Sequence, residues 1–365
     1  MNGRLWNRLL GPVHPLSPGD AGARLARAER VLLVKPHHKL GDLLVATPVI
    51  RNLRRALPRA HLAFVAGPYN APAVLDSPDL DEVIVARLKG PAALLHGSRL
   101  VRGLRERRFD AALVLSSISH SASAVALARR ARPGFVAGLD DAPYGSDLAR
   151  RGYDCVIAPP EDQKIHIVDY NLALLEGLGI PVTGREHVLG VTGEQRAAGR
   201  ERLRGAGVDP DRPLLGIQPG GNPRHPERLW PGSHYAVLAQ KARGEAGHQV
   251  VLLGQGADAA AVEAIQRMGR EPFPVLLDLP FPVYKGVLAG LHAFVTHDGG
   301  PVHVAAGLGV RSFFIFLHTP PWRWAPYGAH VSVWEDFTRS PDPSEAWARL
   351  EPILAAHALP PGRPA

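Results

Sequence analysis

Residues 293–309 read AFVTHDGGPVHVAAGLG, and this stretch decides the fold. The apolar run at 293–296 runs through His297 to an acid, Asp298. Gly299 and Gly300 then allow a tight turn and close backbone approach. Pro301 suits the first turn of a helix whose small-residue face continues through Ala305, Ala306 and Leu308. Strand, glycine turn and helix make one βα unit. A helix start presents unpaired N–H groups and a partial positive charge, which a phosphate fits. Two readings stand at this point: a phosphate cradle, or an ordinary βα turn with Asp298 capping its helix.

Two further glycine turns precede this one and also follow apolar runs. The run at 214–218 leads into Pro219, Gly220, Gly221 and Asn222, and the run at 249–253 leads into Gly254, Gln255, Gly256, Ala257 and Asp258. In a parallel sheet such turns gather on the carboxyl edge, so all three can line one nucleotide site. Arg228 stands between them, and its guanidinium fork matches phosphate oxygens. Residues 254–259 also fit the G-x-G-x-x-A dinucleotide fingerprint. The acid that should follow about 20 residues later falls between Glu271 and Asp278, in or beside a proline-rich loop. Nicotinamide binding is therefore the weaker reading of that turn.

The first half repeats the alternation. Residues 30–36, ending at Lys35 and Pro36, form a continuous apolar run of the kind a buried parallel strand needs. The turn through His37, His38, Lys39, Leu40 and Gly41 reaches Asp42, and Leu43, Ala46, Ile50, Leu53 and Leu57 then recur at helical spacing, with a kink expected at Pro48. Asp42 therefore lies where a strand hands over to a helix, either as a cap or as a chemical group. Further strands are expected at 61–66, 82–86, 111–115 and 312–316. An amphipathic helix is expected at 165–178, closed by Gly179, and Thr192 with Gln195 forms a capping box for the helix that opens the second half.

Composition bounds the possibilities. A chain of 365 residues with 45% apolar and 21% charged residues suits two soluble domains with their own cores. No apolar run approaches the ~20 residues of a membrane span. The single Cys155 leaves no internal disulfide and suits a reducing cytoplasm. The net charge of +8 fits phosphorylated substrates or an anionic membrane surface. Without zinc-finger spacing, an RNP-like aromatic motif or a basic heptad region, nucleic acid is not the expected partner. His37 and His38 are adjacent and do not converge as an i, i+4 pair would, so no metal site is expected.

Together these segments resemble glycosyltransferase family 9, the bacterial lipopolysaccharide heptosyltransferases. The resemblance rests on residues 31–35 with Leu40-Gly41-Asp42 and Ala46-Thr47-Pro48, on residues 166–180, on Pro219-Gly220 with Arg228-Leu229-Trp230-Pro231, and on residues 298–303 with 324–328. It implies an α/β GT-B fold, with two doubly wound Rossmann-like domains facing a central cleft. Residues 1–29 are then an extension, 30–181 the acceptor domain, 182–193 a linker, 194–340 the donor domain, and 341–365 a helix and tail crossing back to the first domain.

The activity implied is inverting and needs no metal or other cofactor. Heptose moves from ADP-heptose onto a lipopolysaccharide-core-like or other glycan acceptor. By the same resemblance Asp42 is the general base, Arg228 the diphosphate cation, and Asp298, Gly299 and Gly300 hold donor sugar and phosphates. Asp258 reaches the ribose, with Gly41, Gly220 and His303 completing the donor set. The expected location is cytoplasmic, with peripheral contact on the inner face of the membrane; Arg102, Arg105, Arg107 and Arg108 fit such an anionic surface and fit solvated helix faces equally well.

Two departures stand out. The family's Asp-Thr-Gly-Pro is Asp298-Gly299-Gly300-Pro301 here, without the hydroxyl, and residues 116–121 replace a segment of the family that usually ends in Arg-Ser. The donor is thus better marked than the acceptor. The alternatives are a GT-B-shaped sugar-nucleotide enzyme of secondary metabolism and a non-catalytic nucleotide-sugar binding protein.

Overall fold

The computed structural model describes residues 12–36, 40–87, 93–115, 121–142, 151–162, 164–221, 225–269 and 271–356, and these divide into two compact units, Met1–Arg185 and Glu186–Ala365. The first holds a parallel sheet of β1 (Arg30–Lys35), β2 (His61–Ala66), β3 (Glu82–Val85), β4 (Ala111–Val114), β5 (Val136–Leu139) and β6 (Cys155–Ile157), in the order β3-β2-β1-β4-β5-β6. The second holds β7 (Leu214–Gln218), β8 (Gln249–Gly254), β9 (Val275–Leu277), β10 (Ala293–His297), β11 (Ser312–Ile315) and β12 (Val331–Trp334), in the order β12-β11-β10-β7-β8-β9. The two sheets have the same winding: the first strand is central, two strands extend to one side and three to the other. This is the doubly wound Rossmann-like arrangement, twice over, of the GT-B class. In each sheet the order reverses between the first and fourth strands, and the crevice outside the carboxyl ends at that point is where such sheets bind ligands.

The central strands form because their sequences are apolar on both faces. Val31, Leu32, Leu33 and Val34 are fully buried, as are Ala293, Phe294 and Val295. The short strands β5, β6, β9 and β12, of three or four residues, add to those expected. The single kinked helix expected around Pro48 is two helices, Leu40–Leu44 and Thr47–Ala56, and Pro48 sits in the first turn of the second. Proline is tolerated there because a first-turn N–H has no partner inside the helix. Gly179 ends the helix Ile167–Gly177 at φ +70°, a value that favours glycine. The Thr192–Gln195 capping box opens the helix Gly193–Gly205.

Residues 12–29 dock on the first unit. The His14 N–H donates to Asp154 Oδ1 at 2.8 Å, the Leu16 N–H donates to the Asp154 carbonyl at 2.7 Å, and Leu25 is fully buried. Residues 1–11 lie outside the described residues, as does the tail 357–365. Between the units the chain is tied locally. Asn52 Oδ1 accepts the Thr183 N–H at 2.6 Å in the first unit, and the Leu189 N–H donates to the Gly307 carbonyl at 3.0 Å in the second. The helix Pro343–Ala355, expected to reach back to the first domain, buries Trp347, Leu350 and Leu354 in the core of the second unit.

Candidate functional site

The three glycine turns of the second unit do follow β7, β8 and β10, at the carboxyl edge of its sheet. The first two are clasped to each other. A Cβ built on Gly220 would lie 1.8 Å from the Asp258 carboxyl carbon, so only glycine lets that carboxylate in. Asp258 is 6% exposed; its Oδ2 accepts the Gln255 N–H at 2.8 Å, and the carboxylate also accepts the Gly221 N–H. Burial pushes this carboxyl up, while the two N–H donors pull it down. Asp258, the expected ribose partner, is thus turned onto protein backbone.

The acid that the dinucleotide fingerprint calls for is Asp278. It lies directly after β9 rather than within a loop, and its Oδ1 accepts the Gly256 N–H at 2.8 Å. The strand-end placement corrects the expectation from sequence, yet it does not make a phosphate cradle. The N–H groups of Gln255 and Gly256, which would face a pyrophosphate, are taken by carboxylates. The turn also follows β8, one strand away from the point where the order reverses.

The turn after β10 is open where the β8 turn is closed. The helix Gly300–Gly307 has Gly299 as its N-cap, in extended backbone and without a side-chain cap, and Pro301 in its first turn. Asp298 is therefore not the N-cap residue of this helix. The first N–H groups of the helix have no side-chain partner at the cap. The Asp298 side chain is 14% exposed; burial pushes its carboxyl up, and the Thr319 hydroxyl and Arg228 draw it back.

Arg228 Nη1 lies 3.9 Å from Asp298 Oδ2, and the Arg228 side chain is 39% exposed. Its placement follows from its neighbours in sequence. Pro226–Arg228 form a single 3-10 turn, and Trp230 just beyond is 2% exposed, with Nε1 donating to the Pro341 carbonyl at 3.0 Å. Trp230 also sets its ring edge-on to Tyr235 at 4.7 Å between centroids. The buried indole fixes the turn and leaves the guanidinium at the edge.

His297 supports the floor. Its Nδ1 lies 3.2 Å from the Tyr235 hydroxyl, and a Cβ on Gly221 would come within 2.3 Å of its Nε2. Burial pulls this imidazole down to about 4, so it is neutral near pH 7. Beside it, the Tyr284 hydroxyl donates to Gln218 Oε1 at 2.7 Å, and the Thr296 hydroxyl donates to the Gln218 carbonyl at 2.9 Å. Gln218, Tyr235, Tyr284 and Thr319 carry no motif, and only their distance to the turns reveals them.

His303 is placed differently from the expected donor contact. It is 4% exposed, and its Nδ1 lies 2.9 Å from Nε2 of His187, against which its ring stacks. In the first unit Asp42 lies in the first turn of the helix Leu40–Leu44, directly beyond the β1 carboxyl end, and is half-buried. Gly41 stands beside it, its carbonyl accepting the Val45 N–H at 3.0 Å. His37 and His38, residues 116–120 and Asn222 lie outside the described residues.

Among the described residues no group of three or more His, Cys, Asp or Glu side chains is arranged for a metal ion, and no helix is long and apolar enough to cross a membrane. A cavity of about 720 Å³ between Leu16, Asp20, Arg24, Phe109 and Asp110 lies at the amino edge of the first sheet. That edge is opposite to the one where doubly wound sheets bind their ligands.

Comparison with known proteins points to one family. The sequence pattern of glycosyltransferase family 9 (heptosyltransferase) matches residues 98–347. The chain is 28% identical over 295 residues to lipopolysaccharide heptosyltransferase 2 of Escherichia coli strain K12, covering 76% of this chain and 80% of that protein. Its fold is similar to that of a glycosyl transferase family 9 protein of Veillonella parvula, with a TM-score of 0.77, 21% identity and coverage of 89% of this chain and 97% of the other. It is also similar to E. coli ADP-heptose lps heptosyltransferase II, with a TM-score of 0.70, 22% identity and coverage of 89% and 98%.

Proposed function

The chain belongs to glycosyltransferase family 9, and from that premise we propose that it transfers heptose from ADP-heptose to a hydroxyl of a lipopolysaccharide-core-like glycan, inverting the anomeric centre. The observation that carries the donor half is the open start of the helix Gly300–Gly307 beside Arg228 and Asp298. Uncapped N–H groups and a fork of guanidinium donors suit a diphosphate. The name of the E. coli relative, an ADP-heptose enzyme, supports the choice of nucleotide.

In the proposed reaction the acceptor oxygen attacks C1 of the heptose as the C1–O bond to ADP breaks. Asp42 takes the acceptor proton. ADP leaves with the bonding pair, and Arg228 with the helix N–H groups stabilises the charge that develops on it. Asp298, held half-buried beside Arg228, orients that cation and the sugar. These protein groups meet the diphosphate charge in this scheme, so no metal is assigned a role. The acceptor is read as an anionic glycolipid reached from the cytoplasmic side of the membrane, which the net charge of +8 favours.

Calorimetric titration of the purified chain with ADP, UDP, GDP and NAD tests the donor assignment. Binding of ADP in preference to the other three is expected. A preference for UDP or GDP would keep the family and change the donor, and a preference for NAD would return function to the turn after β8.

A further inference from the structure

Alternation along β1 sets up an unusual position. Leu32 and Val34 join the core on one face of the sheet with Ala63, Val65, Ala112 and Val114. Val31 and Leu33 belong to the other face, and Lys35 ends that row. Lys35 is 1% exposed, in a place that would take another apolar side chain, and its Nζ lies 3.4 Å from the Leu115 carbonyl just past β4. It therefore sits at the carboxyl edge between β1 and β4, where the strand order reverses.

Burying an ammonium is unfavourable unless a counter-charge and hydrogen bonds meet it. Desolvation pulls Lys35 down to about 8, and the charge of Asp42 acts in the opposite sense to keep it protonated. The half-buried carboxylate of Asp42 belongs to the helix that leaves this same edge.

We propose that Lys35 is a positioning residue for Asp42: a buried cation beneath the first helical turn that holds the carboxylate aimed. The proposal rests on the reading of Asp42 as the base. A purely structural lysine would be replaceable by an apolar side chain of similar length, because the rest of its row is apolar. A positioning lysine would not, since its loss leaves the Asp42 charge without its counter-charge.

The chain has six lysines, so lysine labelled with 13C at Cε gives a readable NMR spectrum, with Lys35→Met identifying the Lys35 signal. Lys35 is expected to titrate near 8 in the wild type and at lower pH in Asp42→Asn. With ADP-heptose and a heptose-accepting core glycan, folded Lys35→Met is expected to lose about tenfold or more in kcat with KM for ADP-heptose little changed, and Lys35→Arg to retain more of the rate. A Lys35 titration that Asp42→Asn leaves unmoved would overturn the pairing. A folded Lys35→Met with wild-type kcat would overturn the positioning role. Should the wild type transfer nothing from ADP-heptose, the proposed function fails, and the titration still decides whether the two charges are coupled.

Discussion

Arg228 reaches Asp298 across 70 residues of sequence, with Nη1 and Oδ2 3.9 Å apart at the carboxyl edge of the second sheet. At that distance the pair is a loose ion pair, not a closed fork. A pair this far apart, with its cation partly in solvent, contributes little to stability. Its value lies in a partly exposed cation next to open helix N–H groups. Replacing Arg228 by Ala should weaken ADP binding about 10- to 100-fold, the loss of one or two charge-assisted hydrogen bonds, with little change in melting temperature. Arg228→Lys should recover part of the affinity, because it restores the charge without the fork. Calorimetry with ADP on both variants checks this, and equal affinities for wild type and Arg228→Ala would remove Arg228 from the donor site.

Two glycines in the candidate site should respond very differently to alanine. At Gly220 the added Cβ would fall 1.8 Å from the Asp258 carboxyl carbon, so Asp258 must leave and the N–H groups of Gln255 and Gly221 lose their acceptor. A cost of about 1–3 kcal/mol is expected from overpacking and the broken clasp. At Gly299 the added Cβ meets only Pro301 Cδ at 3.5 Å and the His297 carbonyl at 4.0 Å, in extended backbone that any residue adopts. Gly299→Ala should therefore be within about 0.5 kcal/mol of wild type. Urea denaturation of the two variants separates them, and an equal loss in both would contradict the packing described.

The room at Gly299 also bears on the family's threonine. Gly299→Thr restores a hydroxyl beside the open helix start without a steric clash at Cβ. It should fold normally and bind ADP at least as tightly as wild type, with a gain of a few-fold at most from one neutral hydrogen bond. Weaker binding in a folded Gly299→Thr would mean that donor phosphates do not approach this turn.

Acid should destabilise the second unit through His297. Its folded-state value of about 4 lies below the ordinary 6.5 because the ring is buried. Between those limits the unfolded chain binds more protons than the folded one. Stability from this group is complete above pH 6.5 and falls as the pH drops toward 4. About 2 kcal/mol should be lost between pH 7 and pH 5. Asp258 and Asp298, whose carboxyls burial pushes up, act in the opposite sense at the acid end. Urea midpoints measured at both pH values should drop less in His297→Gln; equal drops would show that His297 is not held neutral by burial.

Much of this was legible in the residues, and the failures have physical causes. Seven of the eight strands expected from sequence, β1, β2, β4, β7, β8, β10 and β11, announce themselves because both faces are buried. β6 and β9 have three residues each, too few for any period to show. Asp298 and Arg228 were visible as a glycine turn and a cation. The orientation of Asp258 was not, because it depends on how closely Gly220, 38 positions away, approaches it. His303 looked like part of the turn, and its partner His187 lies in a stretch that reads only as linker. Lys35 reads as the polite end of a strand, and its burial appears only once β1 and β4 are side by side.

Transfer itself is the decisive measurement. The purified chain is incubated with ADP-heptose and a heptose-accepting core glycan, ADP release is followed, and the anomeric configuration of the product is read by NMR. Stoichiometric ADP and glycosylated product with inverted configuration are expected from wild type. Asp42→Ala should fall by at least about 100-fold while still binding ADP. A wild type that binds ADP-heptose and neither transfers nor releases the sugar, or an Asp42→Ala variant with undiminished transfer, would contradict the account.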